Sequence, residues 1–241
     1  MGFFGLFKKG GPTQKQIDKQ VTRLKEQYAK PEYRQMAMDQ LFSWGTHECL
    51  VGLIGRFKVV VQSPYYDEQE KRWLVDQLVE LGEPAKEVLK EFVIRENEVT
   101  YPIQALSRLC SKQELEQLLK NALTARSPED YRSSEGKMEL IAALEEYEIP
   151  NSSELIALYL NDHHDEVKCI ALDVLFRNKS SSVYPRVTQM LGDDTHSARV
   201  LRHAAAKVHE FEVALPDNQA LAPEVAEDFE VKSGKLSRVN G

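Results

Sequence analysis

Close cysteine pairs are missing from this sequence. Its three cysteines, Cys49, Cys110 and Cys169, stand about sixty residues apart, which excludes the tight spacing of a zinc site or a dithiol redox centre. Each falls in an apolar helical stretch, where a free cysteine acts as a small hydrophobe, and an unpaired odd count suits a reducing compartment. Long apolar runs are missing as well. The longest, GFFGLF at 2–7 and VVV at 59–61, fall far short of the roughly 20 residues that a membrane-spanning helix needs. Phosphate-cradling and dinucleotide-binding glycine patterns are lacking, as is a nucleophile elbow, so no cofactor is expected. The segment MGFFGLFKKGG carries its charges after the apolar stretch and has no small-residue cleavage site. That order is unlike a secretory signal, and a cytoplasmic placement is expected.

What is present is a 241-residue chain with 42% apolar residues and a net charge of −7, enough to bury a continuous core. The charge is uneven. Residues 1–61 hold ten Lys plus Arg against five Asp plus Glu, whereas residues 62–241 hold twenty-one against thirty-three. An acidic body cannot release counterions from phosphate, so nucleic acid is not an expected partner.

The chain repeats itself. DQLFSWG at 39–45 and DQLVELG at 76–82 are nearly the same heptapeptide. With Leu41 and Leu78 as anchors, similar helical stretches follow at Leu106, Leu144, Leu175 and Val208, at spacings of 37, 28, 38, 31 and 33. A basic residue stands seven positions before four anchors (Arg34, Lys71, Lys137, Lys168), and an acid two before three of them (Asp39, Asp76, Asp173). Apolar stripes then define second helices: Ala85, Val88, Leu89, Phe92 and Val93, or Leu115, Leu118, Leu119 and Ala122, recur at helical spacing. Gly45, Gly82 and Gly192 are expected to close helices, and Pro84 to open one. A hairpin of about thirty residues cannot bury both its stripes alone, so repetition at this period predicts stacking of each hairpin on the next. The expected fold is all-α: a right-handed α-solenoid of about six helix hairpins over 30–211, with a capping helix at 13–29.

The runs KPEYRQMAMDQL (30–41), NDHHDEVKCIALDVL (161–175) and GDDTHSARVLRHAA (192–205) resemble the short HEAT repeat, in the form also seen in phycobilisome-lyase-like proteins. Acids, then a basic residue, then small and leucine-like residues make up that pattern. The third unit departs from it, since VTYPIQALSRL has Pro102 and no leading base. The resemblance implies a scaffold that binds protein partners on its second helices. On that analogy Arg56, Lys58, Lys86, Lys90, Arg95, Lys112 and Lys120 are the candidate partner-binding residues, a cationic ridge on an acidic body. Lyase-like or hydroxylase-like repeat enzymes are the distant alternative. The iron-holding His-Glu pairs of helical-repeat hydroxylases have a formal counterpart in His47-Glu48 and His209-Glu210, but these stand six and one residues after their anchors and do not converge. His163 and His164 precede Asp165 and Glu166, which suit a helix start. No metal site is expected.

Two longer connections, 59–69 and 125–136, are expected as loops, the second of them mobile. Thr13 and Gln16 form a capping-box pattern ahead of a stripe of Ile17, Val21, Leu24 and Tyr28. Before that helix lies an apolar and basic leader, 1–12, in which Phe3, Phe4, Leu6 and Phe7 adjoin Lys8 and Lys9. Such a segment suits an anionic membrane surface, so a membrane-recruited adaptor is the main alternative to a soluble one. Residues 212–241 lose helical periodicity and are expected as a loosely ordered tail with a short docking turn near PEVAEDF.

Overall fold

A computed structural model describes residues 11–239, among which are thirteen α-helices and one two-stranded sheet. The leader residues Phe3, Phe4, Leu6, Phe7, Lys8 and Lys9 lie outside the described residues. The chain divides into two compact units, Met1–Leu118 and Leu119–Gly241.

The first unit contains α1 (Gln14–Leu24), α2 (Pro31–Trp44), α3 (His47–Ile54), α4 (Pro64–Leu81), α5 (Glu83–Arg95) and α6 (Thr100–Leu109), and α7 (Lys112–Thr124) runs through the division. The capping box is present: Thr13 Oγ1 accepts from Gln16 N, and Gln16 Oε1 accepts from Thr13 N. α1 packs on α2 and α3 through Ile17 and Leu24, while Tyr28 is 80% exposed and leaves the stripe. Gly52 lets α3 approach closely, since a Cβ there would lie 2.5 Å from Val21 Cγ2. Gly45 closes α2 at φ 62°, and Gly82 turns the chain between α4 and α5 at φ 73°, both left-handed values that favour glycine. The connection expected at 59–69 is shorter than that: Pro64 opens α4, which absorbs 64–69, because proline is preorganised for the first helical position. Pro102 likewise sits in the first turn of α6, where its missing N–H breaks no bond.

The second unit contains α8 (Ser134–Glu146), α9 (Ser153–Ala157), α10 (Asp165–Arg177), α11 (Tyr184–Met190), α12 (Ala198–Glu210) and α13 (Pro223–Ala226), followed by β1 (Phe229–Lys232) and β2 (Lys235–Arg238). The docking turn near PEVAEDF is α13. The loose tail is corrected: β1 and β2 form an antiparallel hairpin, and Val225, Phe229 and Leu236 are buried against the unit. Gly192 follows the end of α11 with its N–H on Gln189 O, but not at the positive φ of Gly45 and Gly82. Its missing Cβ makes room for Ala220, whose carbonyl oxygen would stand 2.9 Å from one.

All six anchors are at most 1% exposed, and the basic residue that precedes four of them is also buried. Arg34 is 2% exposed, Lys71 7%, Lys137 0% and Lys168 9%. Arg34 forks onto Glu70 at 2.7–3.0 Å and donates to the carbonyls of Glu26 and Ala29 in the preceding loop. Lys137 does the same in the second unit, reaching Asp162 Oδ2 at 2.7 Å, Asp130 O at 2.6 Å and Pro128 O at 3.4 Å. The cation thus ties the loop before its helix to a carboxylate. The 125–136 connection is accordingly pinned, with further bonds from Tyr159 Oη to Arg126 O, His163 N to Pro128 O and His164 Nε2 to Tyr131 O.

A second regularity links helices along the chain. Asp76 pairs with Arg108 at 2.7 Å, Glu145 with Arg177 and Glu154 with Arg186 at 2.9 Å, and Glu166 with Arg199 at 2.7 Å. The partners are 32 or 33 residues apart and join α4 to α6, α8 to α10, α9 to α11 and α10 to α12. Exposed pairs of this kind contribute only about 0–1 kcal/mol each. Their value is as markers of register.

Candidate functional site

The candidate cations are mostly neutralised within the chain. Arg56 is 0% exposed, with Nε on Glu70 at 2.8 Å, Nη2 on Asp67 at 2.9 Å and Nη1 on Val59 O. It is a core residue of the first unit. Burial raises the Asp67 carboxyl, but hydrogen bonds from Lys71, Arg56 and the Val61 amide outweigh it and hold the group below its usual range. Lys86 is 8% exposed and bonds Glu114 at 2.8 Å; that contact, with Ser111, holds Glu114 down to about 2. Both residues therefore leave the proposed ridge, because a buried, paired charge has no field to offer a partner. Lys90 pairs with Glu87 and Lys58 with Glu96, while Arg95 and Lys112 are exposed. Lys120, in the second unit, donates to Pro150 O at 2.7 Å.

Among the described residues no group of three or more His, Cys, Asp or Glu is placed to hold an ion. His47 opens α3, His209 Nδ1 donates to Leu236 O of the hairpin, and His164 caps α10 ahead of Asp165 and Glu166. Burial pushes the Cys110 and Cys169 thiols above their ordinary value, which keeps them protonated and poorly nucleophilic.

The second unit holds a feature that periodicity did not disclose: an open cleft of about 940 Å³. It is assembled from three stretches, 157–161, 185–196 and 216–220. The last is the segment expected to be loose. It is fixed as a wall by Ala222 N on Leu191 O at 2.7 Å, by Leu215 N on Gly234 O at 2.8 Å and by the close approach at Gly192. Buried Ala157, Leu160, Met190 and His196 line the cleft, and Asn161, Gln189, Asp193, Asp194, Gln219 and Arg186 are polar or charged neighbours on it.

The charges there are unequal. The Arg186 guanidinium is taken by Glu154 at 2.9 Å. Hydrogen bonds from Thr195 hold the Asp193 carboxyl below its usual range, so it is ionised at neutral pH. Asp194 is exposed beside it. His196 is 8% exposed, and burial, reinforced by Lys168, lowers its basicity, so the imidazole is neutral at neutral pH. Its Nε2 lies 3.8 Å from Asp193 Oδ2, beyond hydrogen-bond range, and its Nδ1 has no partner among the described residues. Compared with known proteins, the chain matches no family model, no curated protein and no solved structure.

Proposed function

We propose that this chain is a non-catalytic protein-interaction scaffold, with each unit a stretch of right-handed, HEAT-like α-solenoid. The observation that carries the reading is the buried base seven residues before the anchor in four repeats, together with acid–base pairs that join helices at separations of 32 or 33 residues. A hairpin that packs on a neighbour about one repeat away is a repeat unit, and stacked units present rows of helix faces to a partner.

The test is capture on the immobilised full chain from a lysate of its own source, with bound protein cross-linked and mapped. The reading expects a protein retained at a fixed stoichiometry and cross-linked to exposed helix faces. Turnover of a small molecule by the purified chain, with no protein retained, would contradict it.

A further inference from the structure

We propose that the cleft of the second unit is a docking site for a basic segment of a protein partner, one that inserts a lysine or arginine side chain. The inference rests on the scaffold reading and names the chemistry of the partner. Three observations converge on it. The cleft has about 940 Å³ of space over a partly apolar floor, room for a long side chain and its flanking backbone. Its charge is acidic in excess, because Asp193 and Asp194 share the rim while Arg186 is already neutralised by Glu154. A nine-tenths-buried polar side chain in its lining, His196, has an unpartnered nitrogen.

Each feature selects part of the ligand. An aliphatic stem lies against the exposed Pro185, Pro216 and Ala220 of the lining, as long cationic side chains do when they lie along apolar surface with the charge left in water. An ammonium or guanidinium then meets the two carboxylates; Arg186, the cation in the lining, is held by Glu154, and Lys168, which acts on Asp193 and His196 from outside the lining, is buried beside Asp165. The unpartnered His196 nitrogen is itself closed to solvent, so it marks polar ground beneath the cleft, and the contacts to the peptide fall to the exposed rim. Exposed Asn161 and Gln189 and half-buried Gln219 add donors and acceptors for backbone. The balance of the body agrees, since residues 62–241 hold thirty-three acids against twenty-one bases. An acidic peptide would meet Asp193 and Asp194 with like charge.

The test is nuclear magnetic resonance on the full chain, titrated with blocked Leu-Lys-Leu, blocked Leu-Glu-Leu and free spermidine. The proposal expects saturable amide shifts at Gly192, Thr195, His196 and Gln219 with the lysine peptide, and none with the glutamate peptide. It also expects Asp194→Asn to weaken that binding by roughly fivefold, the scale of one exposed ion pair, with an unchanged melting curve. Equal response to both peptides, or no shifts in the cleft, overturns it. Spermidine binding as tightly as the lysine peptide also overturns it and assigns the site to a small cation. Peptide shifts confined to other helix faces overturn the cleft alone and leave the scaffold reading standing.

Discussion

Lys137 should be among the costliest side chains of the second unit to remove. The side chain is 0% exposed, as is that of Asp162, and Nζ holds Asp162 Oδ2 at 2.7 Å while donating to the carbonyls of Asp130 and Pro128. Lys137→Met keeps the stem and removes the charge. The Asp162 carboxylate then stays buried with one remaining donor, the His164 amide at 2.9 Å. Removing one partner of a buried pair costs about 3–5 kcal/mol. At about 2–4 °C per kcal/mol for a chain of this size, the expected loss in Tm is roughly 6–20 °C. Lys137→Met with Asp162→Leu removes both charges, so it should recover part of the loss and give a coupling energy of about 1–3 kcal/mol in the cycle. Urea denaturation read by circular dichroism supplies the free energies, and hydrogen exchange at the His163 amide, bonded to Pro128 O, reports the loop. A single substitution that costs under about 1 kcal/mol, with His163 still protected, would refute the claim that this base pins the loop.

Gly52→Ala should destabilise by about 1 kcal/mol, since overpacking against the stiff Val21 side chain outweighs the gain in helix propensity; adding Val21→Ala should restore the melting temperature. Glu114 has a folded-state pKa of about 2, below its ordinary 4.5. Its pairing with Lys86 is therefore fully present above about pH 4.5 and is lost as pH falls toward 2; a carboxyl resonance titrating near 4.5 would remove the pairing from the account. Arg56→Glu should unfold the first unit in thermal melts by stranding Glu70 and Asp67 against like charge, whereas Arg95→Glu with Lys112→Glu should leave the melt unchanged. Flotation with anionic vesicles should distinguish the full chain from one starting at Pro12 if the leader binds membrane, and equal behaviour of the two would exclude it.

Sequence disclosed the helices well where one stripe meets one neighbour. The anchors and the stripe Ala85, Val88, Leu89, Phe92 and Val93 are all buried as their spacing requires. It disclosed the place of Arg34, Lys71, Lys137 and Lys168 but not their burial, because a base on a helix reads as solvated unless its partner is known, and Glu70 lies 36 residues from Arg34. The hairpin at 229–238 escaped because four-residue strands carry little alternation; the signal available was Ser233-Gly234, both at positive φ, at its turn. The cleft escaped for a different reason. Its walls come from stretches up to about sixty residues apart in sequence, and periodicity describes what one helix does, not what three segments enclose.

The claim that hairpins about one repeat apart pack on one another is tested most directly by zero-length carbodiimide cross-linking of the free chain, followed by peptide mass spectrometry. The account predicts joined pairs Lys58 with Glu96, Lys86 with Glu114, and Lys207 with Asp173, whose charged groups are 2.5, 2.8 and 3.0 Å apart. Each joins residues about one repeat apart in the sequence. Cross-links that join these lysines instead to carboxylates two or more repeats away, with the three pairs missing, would contradict it.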